Sequence, residues 1–332
     1  MVRCGADSRS RPSQFRGQVS GGPDQFFIYT FFKMKINLLA SLFVAATALA
    51  GSSGFYAKDT NIYELTPLNF DKVVLGSNYT TIVEFYAPWC GYCKQLKPVY
   101  HKLARYIQQD ANLAVNVASV NCDEPNSKPL CSKYRVQGYP TLMVFRPPKY
   151  LRHSPTSGKH IPETYNGQRE LPAMVEHLTT RLKNYVKKFH NLSSKSFPEW
   201  LNADDGLEKV VVLSKSDSVS SLLKSLAIDF LDTLSVASVS VKQPVLNPVI
   251  KFEENEIEVP LKENDSLPVL LVYKKDEKKF VRYKGKKLKN MEKVQQFIID
   301  TAGVVPSEGT LLKKEKKLAK WRGISKNTKD EL

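Results

Sequence analysis

Two cysteines separated by two residues, set between an apolar run and a helical pattern, constrain this chain more than any other feature. The stretch reads Phe85-Tyr86-Ala87-Pro88-Trp89-Cys90-Gly91-Tyr92-Cys93-Lys94-Gln95-Leu96-Lys97-Pro98. Before it, Thr81–Ala87 is apolar and β-prone, as a buried strand would be. After it, Pro98, Leu103, Ala104 and Ile107 fall on one helical face, with Pro98 as a kink. Cys90 therefore sits where a strand hands over to a helix. A metal clip, a structural staple and a redox centre all use closely spaced cysteines, and the chain has only 5 to distribute.

The ends of the chain address the compartment. Ile36–Ala50 is hydrophobic, is preceded by Lys33 and Lys35, and closes on Ala48-Leu49-Ala50. That is the pattern of a secretory signal peptide over residues 34–50, too short and too rich in small residues to span a membrane well. An N-terminal membrane anchor is the alternative. Residues 1–33 precede it and read as a mis-annotated upstream extension, with Met34 as the initiator and Cys4 absent from the mature protein. Lys329-Asp330-Glu331-Leu332 is a receptor-read retrieval address for the endoplasmic reticulum. Together they imply the lumen of that compartment, where disulfides are permitted. Three acceptor triplets for N-glycosylation begin at Asn78, Asn191 and Asn264.

The rest of the chain is large enough for two domains of ordinary size. Four cysteines are too few to staple it, so apolar cores must hold it together. The first domain is expected over 60–188. Its strands are Thr81–Ala87, Leu113–Val120, Thr141–Phe145 and Glu163–Tyr165. Lys128–Tyr134 reads as a short helix. Leu171, Val175, Leu178, Leu182 and Val186 mark one face of a closing helix. Strands alternating with helices, then a hairpin and a helix, imply an α/β fold with helices on both faces of a sheet. A second unit over 189–303 repeats this rhythm without a cysteine, with strands at Val210–Leu213, Leu234–Val241, Val269–Tyr273 and Phe280–Tyr283. Its helices are Ser218–Phe230 and Met291–Ile299, and it reads as a degenerate internal duplicate. Residues 304–332 form a basic tail. Much of the net charge of +16 lies there and in Lys274–Lys289, a solvated charge rather than a nucleic-acid surface.

A zinc site needs about four ligands, and no second pair of cysteines or histidines accompanies Cys90 and Cys93. No metal or other cofactor is implied. A structural disulfide across so tight a loop closes little entropy. A redox pair fits best. Exposed N–H groups and the dipole at a helix start favour a thiolate at Cys90. Cys93, one turn on, can attack a mixed disulfide formed there.

Val83-Glu84-Phe85-Tyr86-Ala87-Pro88-Trp89-Cys90-Gly91-Tyr92-Cys93-Lys94 resembles the active-site signature of the protein disulfide isomerases. Tyr134-x-Val136-x-Gly138-Tyr139-Pro140-Thr141 resembles the second signature of their thioredoxin-like fold. The resemblance, with Thr141–Lys149 and the long loop after it, is to a small fungal member of the family residing in the endoplasmic reticulum. It implies two tandem thioredoxin-like domains, the first redox-active and the second not. It further implies that Cys90 is an exposed nucleophile and Cys93 a buried resolving thiol. Pro140 would be a cis-proline that offers backbone to an extended substrate, with Trp89, Gly91, Tyr92 and Tyr139 around it. Glu84 would take a proton from the resolving thiol; a carboxylate in an apolar strand is costly without a task. Arg169, after Tyr165-Asn166-Gly167, matches an arginine that swings toward the resolving cysteine and lowers its pKa.

The sequence departs from the family pattern at two positions. Tyr92 stands where a histidine is usual, and Ser119 where a lysine often partners the buried glutamate. A histidine would stabilise the thiolate better and make the disulfide more oxidising. Cys122 and Cys131 are expected to pair as a structural staple in an oxidising lumen, a second exchange centre being the alternative.

The function so implied is a thiol–disulfide oxidoreductase and isomerase acting on unfolded or partly folded secretory proteins. Its partners would be those clients, a thiol oxidase or glutathione, and the retrieval receptor. The competing reading is a chaperone-like client-binding protein whose redox centre is secondary.

Overall fold

The computed structural model describes residues 54–151, 159–285, 288 and 290–307. The expected extension 1–33, signal peptide 34–50, retrieval address at Lys329–Leu332 and all of the basic tail beyond 307 lie outside the described residues. Among the described residues, no helix is long and apolar enough to cross a membrane.

The first domain contains β1 (Tyr63–Leu65), α1 (Pro67–Phe70), β2 (Thr80–Tyr86), α2 (Gly91–Arg105), β3 (Val115–Asn121), α3 (Lys128–Lys133), β4 (Thr141–Arg146), β5 (Ile161–Thr164) and α4 (Leu171–Arg181). The second contains β6 (Lys187–Phe189), α5 (Ser196–Asn202), β7 (Glu208–Ser214), α6 (Ser221–Asp229), β8 (Leu234–Ser240), β9 (Val249–Phe252), β10 (Asn255–Glu258), β11 (Val269–Lys274), β12 (Lys279–Arg282) and α7 (Met291–Ala302). The first sheet is ordered β1-β3-β2-β4-β5 and the second β12-β11-β7-β8-β6. In each, the first three strands in the chain run parallel and the last two antiparallel. The two sheets are therefore one topology used twice, a mixed thioredoxin-like sheet with helices on both faces. The hairpin β9–β10 is an addition between β8 and β11.

β2 is buried at all seven positions. Successive side chains of a strand point to opposite faces, so β2 must be covered on both. On one face Ile82 and Tyr86 pack with Cys93, Leu96, Tyr100 and Leu103 of α2 and with Met174 and Leu178 of α4. On the other, Val83 and Phe85 pack with Phe70, Val74 and Phe145. Glu84 shares the face of Ile82 and Tyr86, and so lies under α2. The disulfide Cys122–Cys131, with Cα atoms 5.9 Å apart, ties the end of β3 to α3 in the second cluster.

Several expectations shift. Pro98 lies inside α2 but is exposed. The buried face is Cys93, Leu96, Tyr100, Leu103 and Ala104, and Pro98 falls on the opposite side. The closing helix ends at Arg181, because Leu182 turns extended. Val186 packs in the second core beside Val210 and Val236. Asn184 begins this departure, its side-chain carbonyl accepting the Val186 N–H at 3.1 Å. Lys187 and Lys188 already pair with β8, so the expected break after 188 falls inside β6. α6 begins at Ser221 rather than Ser218, because the hydroxyl of Ser220 caps it by accepting from the Leu223 N–H at 3.2 Å.

α6 and the turn after it are where the second domain meets the first. Ile228 and Leu231 enter the first core. The Ala114 N–H donates to Ser225 Oγ at 2.8 Å, and the hydroxyls of Tyr79 and Tyr150 donate to Asp229 and Asp232. Gln295 Nε2 of α7 donates to the other Asp229 oxygen at 2.7 Å. A buried carboxylate that loses a donor bears its desolvation cost uncompensated. Tyr79→Phe should therefore lower the urea midpoint, with a loss of about 1–3 kcal/mol in stability, measured by far-UV circular dichroism.

Candidate active site at the start of α2

β2 delivers the chain to Ala87-Pro88-Trp89, and α2 begins one residue after Cys90. Cys90 is the N-cap, with extended φ −70° and ψ 122°. Its N–H donates to the Ala87 carbonyl at 3.0 Å, and its own carbonyl accepts from Lys94 at 3.1 Å. Gly91 and Tyr92 form the exposed first turn. A side chain at Gly91 would meet nothing within 4 Å, so the approach to Cys90 is open on that side.

The two thiols are reduced and in unequal surroundings. Cys90 is only 8% exposed, so the expected exposed nucleophile is largely covered, though less so than Cys93 at 0%. The cover follows from its place: Cys90 Sγ lies 3.5 Å from the Tyr139 carbonyl, donating to it. Partial desolvation alone would raise the Cys90 pKa. Hydrogen bonds from the Cys93 backbone, the Cys93 thiol and the Tyr92 backbone outweigh it and hold the thiol below the ordinary cysteine range. Cys93 is pushed up to about 12, by burial first and then by its neighbours Cys90 and Glu84.

Glu84 is 0% exposed. Burial pushes its carboxyl up to about 7, against the pull of a hydrogen bond from Tyr56 and the charge of Arg169. One oxygen accepts from the Tyr56 hydroxyl, and the other has no partner among the described residues. Ser119 is its register neighbour on β3 and is equally buried, with a hydroxyl that also lacks a partner among the described residues.

Pro140 follows a cis peptide bond and is buried just before β4. Arg169 Nη2 donates to the Pro140 carbonyl at 3.1 Å. In this state its charge is felt at Glu84, and among the described residues it makes no hydrogen bond to Cys93. Trp89 and Tyr92 are the exposed aromatics beside Cys90, at 64% and 69%. Trp89 Nε1 donates to Asp123 at 3.1 Å, and its ring meets Tyr139 edge-on. Tyr92 acts on Cys90 through its backbone, not through its ring. Cys122 and Cys131 stand apart, bonded to each other. Asn191 and Asn264 are exposed, while Asn78 is half-buried between buried Ser77 and Tyr79. Among the described residues, no group of three or more His, Cys, Asp or Glu side chains could hold a metal ion.

Tyr56 and Asp123 escaped the reading of the sequence. Tyr56 precedes Glu84 by 28 residues and lies in a turn, where no periodicity marks a buried side chain. Asp123 follows a cysteine at a strand end and carries no pattern of its own.

A thioredoxin-like sheet with a reduced Cys-x-x-Cys pair at a helix start, one thiol activated and the other suppressed, defines a thiol–disulfide oxidoreductase. The thioredoxin family profile matches residues 61–179. Protein disulfide-isomerase MPD1 of Saccharomyces cerevisiae is 36% identical over 299 residues, 86% of this chain and 91% of that one. A putative protein disulfide-isomerase of Dictyostelium discoideum is 30% identical over 257 residues, 76% of this chain and 56% of that one. The chain belongs to the protein disulfide-isomerase family.

Alkylation follows the thiolate, so the two thiols should separate cleanly with pH. Iodoacetamide labelling mapped by mass spectrometry should modify Cys90 with a midpoint below the ordinary thiol value. Cys93 should stay unlabelled through the neutral range in the native protein.

Glu84 also makes stability depend on pH. Its folded pKa is raised above the unfolded value of about 4.3, so the native state holds the proton more tightly. The associated stability is present below about pH 4 and is lost as pH rises through about 7. Glu84→Gln, which keeps the shape and removes the charge, should be the more stable protein above pH 7. The difference should be roughly 3 kcal/mol there and vanish near pH 4, read from urea unfolding at a series of pH values.

Proposed function

We propose that the chain forms, reduces and rearranges disulfide bonds in folding secretory proteins of the endoplasmic reticulum, through Cys90 and Cys93. The observation that carries this is the asymmetry of the pair. The helix start lowers the pKa of Cys90, whereas Cys93 is held protonated beside a carboxyl that titrates near neutrality. The Cys90 thiolate attacks one sulfur of a client disulfide, a mixed disulfide forms, and the other client sulfur leaves as a thiolate. Cys93 then gives its proton to Glu84 and attacks Cys90 Sγ. The second client sulfur departs, and Cys90 and Cys93 remain joined. Run backwards, the same steps oxidise a client dithiol. If the client's own thiolate attacks the mixed disulfide first, the bond is rearranged.

Trp89, Gly91 and Tyr92 supply the rim that a client meets, and Tyr139-Pro140 the backbone beside the sulfur. Arg169 reaches the same centre through the Pro140 carbonyl and through its charge at Glu84. The signal peptide and the Lys329–Leu332 address support the luminal location. A thiol oxidase or glutathione would recharge the dithiol, and exposed Asn191 and Asn264 would be the better glycan acceptors.

Cys93→Ser should accumulate covalent client adducts through Cys90, because the resolving thiol is gone. Cys90→Ser should accumulate few. Non-reducing electrophoresis of microsomal lysates reads both, and equal trapping would overturn the assignment.

A further inference from the structure

In this chain the buried carboxylate is held by an aromatic hydroxyl from outside the sheet. Glu84 is faced by Tyr56 of the turn 55–58, by Tyr86 on its own strand, by Cys90 at the cap of α2 and Cys93 and Tyr100 within it, by Ser119 of β3 and by the charge of Arg169. Most of these are engaged elsewhere. The Tyr86 hydroxyl donates to Glu64. The Tyr100 hydroxyl lies 2.7 Å from the Ala118 carbonyl and 3.2 Å from that of Ile82. Arg169 donates to Pro140. Among the described residues, the one hydroxyl hydrogen-bonded to the Glu84 carboxylate is that of Tyr56.

Tyr56 is not a loose neighbour. It is 1% exposed, and its ring lies between Tyr86 and Tyr100 at 5.8 and 5.7 Å. Its turn is fastened from several sides. The Tyr56 carbonyl accepts from the Asp59 N–H at 2.8 Å, and the Phe55 N–H donates to the Tyr86 hydroxyl at 2.8 Å. Lys97 of α2 sits over the Phe55 ring at 4.3 Å. A turn held this way delivers one hydroxyl to one carboxylate oxygen.

We propose that Tyr56 is a positioning residue for disulfide exchange, orienting Glu84 and stabilising its charged form so that it is ready to take the Cys93 proton at neutral pH. The inference rests on Glu84 acting as that proton acceptor. As Cys93 attacks Cys90 Sγ, its proton passes to the free Glu84 oxygen, the sulfur–sulfur bond to the client breaks, and the client sulfur leaves with the electron pair. Tyr56 keeps its own proton throughout, donating it as a hydrogen bond. Burial, reinforced by the Glu84 charge, raises its own pKa far out of reach. A buried carboxylate without this donor would hold its proton to higher pH, so less of it would be ionised and able to accept the Cys93 proton at neutral pH.

The experiment is single-turnover exchange of the reduced protein with glutathione disulfide, quenched in acid and read by mass spectrometry between pH 5 and 9. It separates formation of the Cys90–glutathione adduct from its resolution by Cys93. For the native protein, resolution should rise with pH through the Glu84 midpoint. In Tyr56→Phe that midpoint should move up by about one pH unit, making resolution roughly tenfold slower below it and equal at high pH. Adduct formation should keep its rate. A packing defect would instead slow resolution at every pH, and an unmoved midpoint would overturn the proposal. Glu84→Gln separates the two readings: if it retains the native pH limb, Glu84 is not the base, whatever Tyr56 does. Should Tyr56→Phe fold poorly, 3,5-difluorotyrosine at position 56 keeps the ring and donates more strongly. It should move the midpoint down, and the carbonyl infrared band of protonated Glu84 reads that shift without turnover. An unshifted band would equally overturn the proposal.

Discussion

A strand with no exposed residue must be covered on both faces, and the first domain is the means by which β2 is covered. The requirement places α2 and α4 on one side and α1 and α3 on the other. It also fixes what Glu84 meets. In a strand half open to water, a carboxylate at that position would turn outward and be solvated. In β2 neither direction offers water, so the side chain lies under α2 against the buried thiol. Its proton affinity near neutrality is a consequence of that burial. Cys90, four residues beyond the strand's end, inherits the opposite environment, since the first turn of α2 directs N–H groups toward it.

What could be read from the sequence follows from the range of the physics involved. β2 and β4 are visible because buried strands are near-continuous apolar runs, and β3 because Val115, Val117, Ala118 and Val120 still mark it despite the polar Asn116 and Ser119. The place of Cys90 is visible because strand and helix periods meet there. The end of α4 is less so: Leu182 and Val186 continue its period, but Leu182 is already extended while still packing in the first core, and Val186 answers to a packing surface that belongs to the other sheet. Pro98 was misplaced for a related reason, since an apolar type at a helical spacing says nothing about which face turns outward. β6 and the hairpin β9–β10 are short, exposed and partly charged, so alternation does not set them apart. Tyr56 is the extreme case. Its partner is distant in sequence and its conformation is a turn, so only the assembled structure shows it to be part of the site.

The second domain shows what the scaffold becomes without thiols. α6 begins as α2 does, after the central strand of its sheet, but its cap is Ser220, whose oxygen occupies a helix N–H directly. In the first domain the cap is Cys90, whose neutral thiol makes no side-chain cap bond. A neutral thiol is a poor acceptor and a thiolate a good one. The N–H groups that serine saturates are thus left available at Cys90 to favour the charged sulfur. One kind of residue closes the helix start and the other leaves it reactive. α6 has turned to a different task, lending Ser225 and Asp229, with Asp232 of the turn after it, to the junction with the first domain.

Among the described residues, four cysteines divide into one locked pair, Cys122–Cys131, and one open pair, Cys90–Cys93. The open pair stores two electrons and no more. A second dithiol in the same body would let a chain correct one bond while holding the means to correct another. With a single store, each net oxidation or reduction empties or fills the whole capacity, and the next waits on an encounter with a donor or acceptor from outside. Rearrangement alone escapes this rhythm, because it returns the pair to the state in which it began.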